Sequence, residues 1–277
     1  MELTSPEAGR RFEEFAAAAG PCVVGLDFDG VLSPIVEDPD EARIHPDARA
    51  VLVDLAEVVR AVAVITGRPA RQALALGDLD TVGAEVGDHG KELFVFGQYG
   101  NERWSSSRRR VVSPRPPAGL STFERDLPAL LRRFDAADAH VEEKGLAVAV
   151  HTRRLDDPQA ARDRLMEPMR ELAEQHHLVL EPGRNVIEVR SPGMTKGHAV
   201  RTFVEEQDAH GMLYAGDDLG DLDAFEAVAE LRERGGSTLL VCSVSEEENA
   251  LAEHADVLVK GPEGVLELLR EITSRAR

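Results

Sequence analysis

Cysteine is nearly absent from the 277-residue chain: the two present, Cys22 and Cys242, fall in apolar, strand-like runs with no metal-ligand spacing. That excludes a disulfide framework or a zinc site and leaves buried free thiols as the expectation. Cations are scarce as well, with 32 Lys and Arg against 51 Asp and Glu and a formal charge of −19. Such a surface does not track nucleic acid or an anionic membrane. An anionic small substrate is not excluded, because exposed charges are screened over ~8 Å at physiological salt and a pocket with a few cations acts locally. The one basic run, Arg108-Arg109-Arg110, precedes Pro114-Arg115-Pro116-Pro117 and reads as a solvated linker. Long hydrophobic runs are missing too. None approaches the ~18 residues needed to cross a bilayer, and Met1-Glu2-Leu3-Thr4-Ser5-Pro6 has neither the basic region nor the apolar core of a signal peptide. A soluble, cytoplasmic protein is expected. No internal repeat or long low-complexity segment is present. The sequence does not show an oligomeric state, and a monomer is the working expectation.

What is there divides by texture. The length suggests about two domains at ~150 residues each. Strands are predicted at 22–27, 61–65 and 81–86, with helices at 46–59 and from about 69. The alternation resumes with a helix from 196, a strand at 211–215, a helix from about 221, a strand at 238–242, and helices around 246–253 and 263–272. Strands alternating with helices give a parallel sheet wrapped by helices. Between the two halves, the proline-rich stretch 113–117 opens a different pattern: a helix at 121–134, strands at 138–143 and 146–151, a helix at 158–176, and strands near 178–181 and 185–189. The fold class read from this is α/β: a Rossmann-like parallel-sheet core, residues 1–110 with 191–277, carrying an inserted α+β cap at 111–190, with hinges near 110–117 and 190–195. Phe12 and Phe15 fit the packing face of an N-terminal amphipathic helix.

Four sites stand out. The run Val23-Val24-Gly25-Leu26 ends in Asp27-Phe28-Asp29-Gly30, and ligands of open α/β sheets bind just beyond the carboxyl ends of strands. Val62-Ala63-Val64-Ile65 ends in Thr66-Gly67-Arg68, whose hydroxyl and backbone N–H groups suit a phosphate. Thr195-Lys196-Gly197 opens a helix, placing Lys196 at the positive end of its dipole. Met212-Leu213-Tyr214-Ala215-Gly216 ends in Asp217-Asp218, with Asp221 close behind. Clustered carboxylates repel, and Mg²⁺, which accepts a few carboxylates together with substrate phosphate oxygens, is their natural neutraliser. Taken singly, each site also fits a capped turn or a solvated first helical turn. Their joint occurrence, three at strand ends and one at a helix start, is not explained by turn chemistry.

The order DFDG, TGR, TKG, GDD resembles the four motifs of haloacid dehalogenase-like phosphohydrolases, and the insertion between the second and third resembles that superfamily's larger cap. GDHGKEL around His89, VEEKGLAVAVHTR at 141–153, PGRNVIEVRSPGMTKG at 182–197 and AGDDLGDLDAF at 215–225 narrow the resemblance to the trehalose-6-phosphate phosphatase family. The chain departs from that family's usual pattern at Asp88, Gly220 and Leu222. The resemblance implies an Mg²⁺-dependent phosphatase acting on a sugar phosphate, expected to be trehalose 6-phosphate, through an aspartyl-phosphate. It implies Asp27 as nucleophile, Asp29 as general acid and base, and Thr66 and Lys196 as phosphate ligands. The metal would be held by Asp27, Asp29, Asp217 and Asp218. Substrate contacts are implied for Phe28, Gly67, Arg68 and His89 in the core, and for Glu143, Lys144, His151, Arg153, Arg184 and Glu188 in the cap. Sucrose-phosphate or mannosyl-phosphoglycerate as substrate, or a sugar-phosphate sensor without catalysis, are the competing readings. His176-His177 lack a ligand partner at metal spacing, and Glu246-Glu247-Glu248 read as a helix start.

Overall fold

A computed structural model of the chain describes residues 1–36, 38–183, 185–244 and 250–277. The chain forms two compact units, Met1–Ser113 with Thr195–Arg277, and Pro114–Met194. In the first unit run β1 (Glu2–Leu3), α1 (Pro6–Ala17), β2 (Cys22–Leu26), α2 (Ala48–Val58), β3 (Ala61–Ile65), α3 (Ala70–Gly77), α4 (Leu79–Asp88), β4 (Leu93–Gly97) and β5 (Glu102–Ser105). The second unit holds α5 (Leu120–Arg133), β6 (His140–Glu143), β7 (Ala147–His151), α6 (Pro158–Gln175), β8 (Val179–Gly183) and β9 (Val186–Arg190). The chain then completes the first unit with α7 (Lys196–Glu206), β10 (Gly211–Gly216), α8 (Leu222–Glu233), β11 (Ser237–Val244), β12 (Val257–Lys260) and α9 (Gly261–Ala276).

The large sheet has the order β1-β12-β11-β10-β2-β3-β4-β5. Its six central strands are parallel, and β1 and β5 close the edges antiparallel. Strands β2, β3 and β10 are buried at every position, which is why they read as continuous apolar runs and not as alternation. Val24, Leu26, Val64, Leu213 and Ala215 join one core layer. Val23, Ala63, Ile65, Met212 and Tyr214 join the layer on the other side. From β2 the chain winds outward through β3 and β4, and after the second unit it returns to pair β10 on the other flank of β2. The winding direction reverses between β2 and β10, and a crevice for ligands opens at such a switch point, beyond the strands' carboxyl ends. Helix α1 starts where Ser5 accepts the Ala8 N–H at 3.0 Å with Pro6 in the first turn, and it buries Phe12 and Phe15.

One predicted strand is a helix. Residues 81–86 lie inside α4, whose buried Leu79, Val82, Gly83 and Val86 recur at three- and four-residue spacing. The strand that follows β3 in the sheet is β4, twelve residues further on by the start of each range, 93 against 81. A short apolar run containing a glycine satisfies either period, and Gly83 here makes room for Trp104 and Ser106. Of the helix expected around 246–253, a 3₁₀ turn at Ala250–His254 is described; Glu246, Glu247 and Glu248 lie outside the described residues. Among the described residues no helix is long and apolar enough to cross a membrane.

The second unit is a four-stranded antiparallel sheet in the order β6-β7-β9-β8. Val148, Val150, Ile187 and Val189 pack with Leu120, Phe123 and Leu127 of α5 and with Leu165 and Met169 of α6. By strand alternation Ala147, Ala149, His151, Glu188 and Arg190 belong to the other face.

Candidate active site

Asp27 stands directly after β2, held by its N–H to the Ala215 carbonyl at 2.9 Å. Its Oδ1 accepts the Phe28 N–H at 2.7 Å, and its Oδ2 lies 2.8 Å from Lys196 Nζ. Lys196 is the first residue of α7, a helix capped by Thr195. Its ammonium also lies 2.7 Å from Asp221 Oδ1. Asp221 accepts the Tyr214 hydroxyl on the same oxygen at 2.6 Å and the Asp217 N–H on Oδ2 at 3.1 Å. Asp217 follows β10. Asp27, Asp217 and Asp221 each offer a carboxylate oxygen within 4.8 Å of the others, and all three residues are buried. Gly30 is at φ +69°, and a Cβ there would fall 2.2 Å from Asp217 Oδ2, so only glycine lets the loop after β2 pass this close.

Three buried carboxylates around one ammonium are not neutral. Burial pushes Asp27 well above the usual carboxylate range, with Asp221 and Asp29 adding to the shift and Lys196 opposing it. Asp217 is pushed up to about 10, first by burial and then by Asp27, Asp218 and Asp221. For Lys196, burial disfavours the charge, but Asp221 and Asp27 outweigh it and hold the ammonium well above its usual range. All three acids offer oxygen donors only, the set that suits a hard divalent cation.

Other expected residues are arranged around this cluster. Thr66 is buried after β3, with its N–H on the Phe96 carbonyl at 2.9 Å and its Oγ1 accepting the Arg68 N–H at 3.1 Å. Arg68 grips both oxygens of Asp29, Nε to Oδ2 at 2.7 Å and Nη2 to Oδ1 at 2.8 Å. A third nitrogen of the same guanidinium donates to the Pro39 carbonyl at 2.9 Å. Asp218 accepts the Gly220 N–H at 2.8 Å as cap of a 3₁₀ turn at Leu219–Asp221; its carboxylate is not in the group of three, where Asp221 takes the third place.

Three residues fall elsewhere than expected. Phe28 is fully buried in the core with Arg68 over its ring at 5.5 Å, so its side chain is structural. His89 sits at the amino end of β4, where its Nδ1 is 3.1 Å from Glu57 and the adjacent Lys91 binds the Val59 carbonyl, at the end of the sheet opposite to Asp27. Glu143 faces the helix side of its sheet beside Glu124, because it is paired with Val148 of the packed face. In the second unit Lys144 pairs with Glu188 at 2.6 Å, and His151 Nε2 is 2.9 Å from Glu142. Arg153 lies in the exposed turn after β7, and Arg184 lies outside the described residues.

The structure also adds residues. Asp221, read in the sequence only as a carboxylate close behind Asp217-Asp218, takes a role of its own as a partner of Lys196. Glu142, one residue before Glu143, shares the face of His151 and Glu188 by register. Beyond β4, Gln98 and Tyr99 turn at φ 46° and 59°, and their N–H groups reach the Arg68 and Thr66 carbonyls at 2.8 and 3.0 Å. The Tyr99 ring lies against Gly67. Leu93-Phe94-Val95-Phe96 running into Gly97-Gln98-Tyr99-Gly100 carries the same signature of an apolar strand ending in a glycine turn as the other sites.

The sequence model of the trehalose-phosphatase family matches residues 25–258. Trehalose-phosphate phosphatase B of Arabidopsis thaliana is 32% identical over 256 residues, which cover 88% of this chain and 66% of that protein. Trehalose-phosphate phosphatase of Mycobacterium tuberculosis is 32% identical over 215 residues, 74% of this chain and 51% of that protein. The matches thus span 66% and 51% of the lengths of these two relatives. The C-terminal domain of C. albicans trehalose-6-phosphate phosphatase has the same fold, with a TM-score of 0.79 at 19% identity over 99% of this chain and 98% of that one. A haloacid dehalogenase-like hydrolase from Bacteroides thetaiotaomicron shares it at a TM-score of 0.60 and 14% identity, over 90% of this chain and 98% of its own. With the family match extending over 25–258, from the strand that presents Asp27 to the strand that ends the sheet's parallel set, this chain belongs to the trehalose-phosphatase family.

Proposed function

We propose that this chain hydrolyses trehalose 6-phosphate to trehalose and phosphate, with Asp27 as the nucleophile. The observation that carries the reading is the buried Asp27–Lys196–Asp221 arrangement at the switch point, with Asp217 beside it. A carboxylate needs no activating base to attack phosphorus. Asp27 Oδ forms the new bond to phosphorus as the bond to the sugar oxygen breaks, giving an aspartyl-phosphate, which water then hydrolyses. Lys196 and the Thr66 loop bind the phosphoryl oxygens that carry the transition-state charge. Asp29 supplies the proton to the departing sugar oxygen and recovers one from the attacking water. Both its oxygens accept from Arg68, so this step requires the guanidinium fork to open. The site fits Mg²⁺, which Asp27, Asp217 and the backbone carbonyl of Asp29 would hold, with Asp218 as a further candidate, and the ion would offset the repulsion between carboxylate and phosphate.

Support for the sugar comes from the family and its named relatives, and from the second unit, whose Lys144–Glu188 and His151–Glu142 pairs offer the polar, bidentate-capable groups that a disaccharide's hydroxyls need. A phosphate-release panel with Mg²⁺ tests it. Trehalose 6-phosphate is expected to be turned over with the highest kcat/KM and excess EDTA to stop the reaction; preference for sucrose-phosphate or mannosyl-phosphoglycerate would overturn the substrate, and binding without release would favour the sensor.

The charge on the cluster gives a second expectation. A carboxyl at about 10 in the folded chain, against ~3.9 unfolded, takes up a proton on folding. The stability it contributes is complete below the unfolded value and is lost as pH rises toward the folded one. A cation displaces that proton, so a fixed Mg²⁺ concentration should raise the thermal midpoint more at pH 8 than at pH 6. An equal gain at both would contradict the assignment of Asp217 to the cation.

A further inference from the structure

Tyr214 carries the only hydroxyl in β10, and it is fully buried. Its ring lies in a core layer with Val23, Ile65, Phe203 and Phe225, edge-on to Phe225 at 6.1 Å between centroids. Phenylalanine would fill that space equally well. One observation sets the hydroxyl apart, and a second bears on the ring that carries it. The hydroxyl donates to Asp221 Oδ1 at 2.6 Å, the oxygen that Lys196 Nζ reaches at 2.7 Å, and Lys196 in turn stands 2.8 Å from Asp27 Oδ2. Room is also made for the ring: Tyr214 is in register with Gly25 of β2, where a Cβ would come within 3.0 Å of Tyr214 Cδ2 and 2.4 Å of Met212 Cε. Glycine inside a central strand weakens it, and close approach of a neighbour is the usual reason for one.

We propose that Tyr214 is a positioning residue for the phosphate site, acting through Asp221 to set Lys196 against Asp27. The proposal rests on the phosphatase reading above. Asp221 receives two donors on Oδ1 and the Asp217 N–H on Oδ2. Held at both oxygens, the carboxylate cannot rotate, and it serves as the fixed counter-ion of Lys196. Without the hydroxyl, Oδ1 keeps only the Lys196 ammonium and Oδ2 only the Asp217 N–H, so nothing opposes a joint shift of carboxylate and ammonium toward Asp27. Hydrogen bonds to buried charged groups are the strong ones, and a reactive constellation is only as exact as the shell that supports it.

The test is Tyr214→Phe, assayed with Mg²⁺ on trehalose 6-phosphate and on p-nitrophenyl phosphate. The aryl phosphate carries no sugar, so the effect of Tyr214 is read independently of the substrate, which the trehalose 6-phosphate arm examines. The expected result is a roughly tenfold fall in kcat on both with KM unchanged, the size of one hydrogen bond to a charged group. Calorimetric binding of vanadate, which takes the geometry of the transition state, should weaken by the same factor while inorganic phosphate binds as before. A purely structural role would lower thermal stability and leave this split absent. Combining Tyr214→Phe with Asp221→Asn should cost nothing beyond Asp221→Asn alone. Wild-type kcat and vanadate binding in Tyr214→Phe, or a full additive loss in the double variant, would overturn the proposal.

Discussion

Asp27→Asn is expected to stop phosphate release, by roughly 10⁴- to 10⁶-fold, in a protein that remains folded. The amide has the same shape and can still accept the Phe28 N–H that the carboxylate takes at 2.7 Å. It has no nucleophilic oxygen. Folding should not suffer, because Lys196 keeps Asp221 as its partner. One of three mutually repelling acids is also removed from a buried cluster, so the thermal midpoint should match or exceed that of the wild type. Steady-state kcat and a thermal melt on the same preparation check both halves, and near-normal turnover by the folded variant would remove Asp27 from the chemistry.

Lys196→Ala is expected to damage activity and stability together. Lys196 is within ion-pair distance of Asp27 and Asp221, and all three are buried. Deleting one partner of a buried pair leaves charge uncompensated, at a cost of about 3–5 kcal/mol. Asp27, already pushed up by burial, also loses the charge that opposes the shift, so less of it is ionised to attack. Removal of a donor that binds transition-state charge lowers kcat by roughly 10²- to 10³-fold in its own right. Urea unfolding in EDTA measures the first effect, and Lys196→Met, which keeps the stem's volume, separates lost charge from lost packing. Wild-type unfolding of both variants would mean that the ion network contributes no stability.

The contrast between these residues and the misplaced ones shows what one-dimensional pattern carries. Asp27, Thr66 and Asp217 each end an apolar run, and a run buried on both faces places its last residue at the carboxyl end of a parallel strand. Lys196 is fixed by the helix start beside it. Such signals are local. Phe28 sits between two polar residues, but the loop turns its ring into the core, and only tertiary packing shows that. His89 sits in a family-like string, yet the strand that matters begins at Leu93 and leaves His89 at the sheet's other end. Residues 81–86 and Tyr99 are linked: a strand at 81–86 leaves the turn at Gly97-Gln98-Tyr99-Gly100 away from any strand end, whereas β4 at Leu93–Gly97 leads straight into it. Glu143 and Glu142 differ by one residue, and period-two alternation puts them on opposite faces once the register with β7 is known. The partnership of Tyr214 with Asp221 and Lys196 joins side chains from a strand, a turn and a helix start, and no spacing rule encodes it.

Chemical trapping of the intermediate tests the central claim most directly. During turnover of trehalose 6-phosphate, rapid acid quenching followed by peptide mass spectrometry should find phosphate on the peptide that contains Asp27, removable by hydroxylamine as an acyl phosphate is, and absent from Asp27→Asn. Turnover with no covalent phosphate at any quench time, or phosphate on a different residue, would contradict the account.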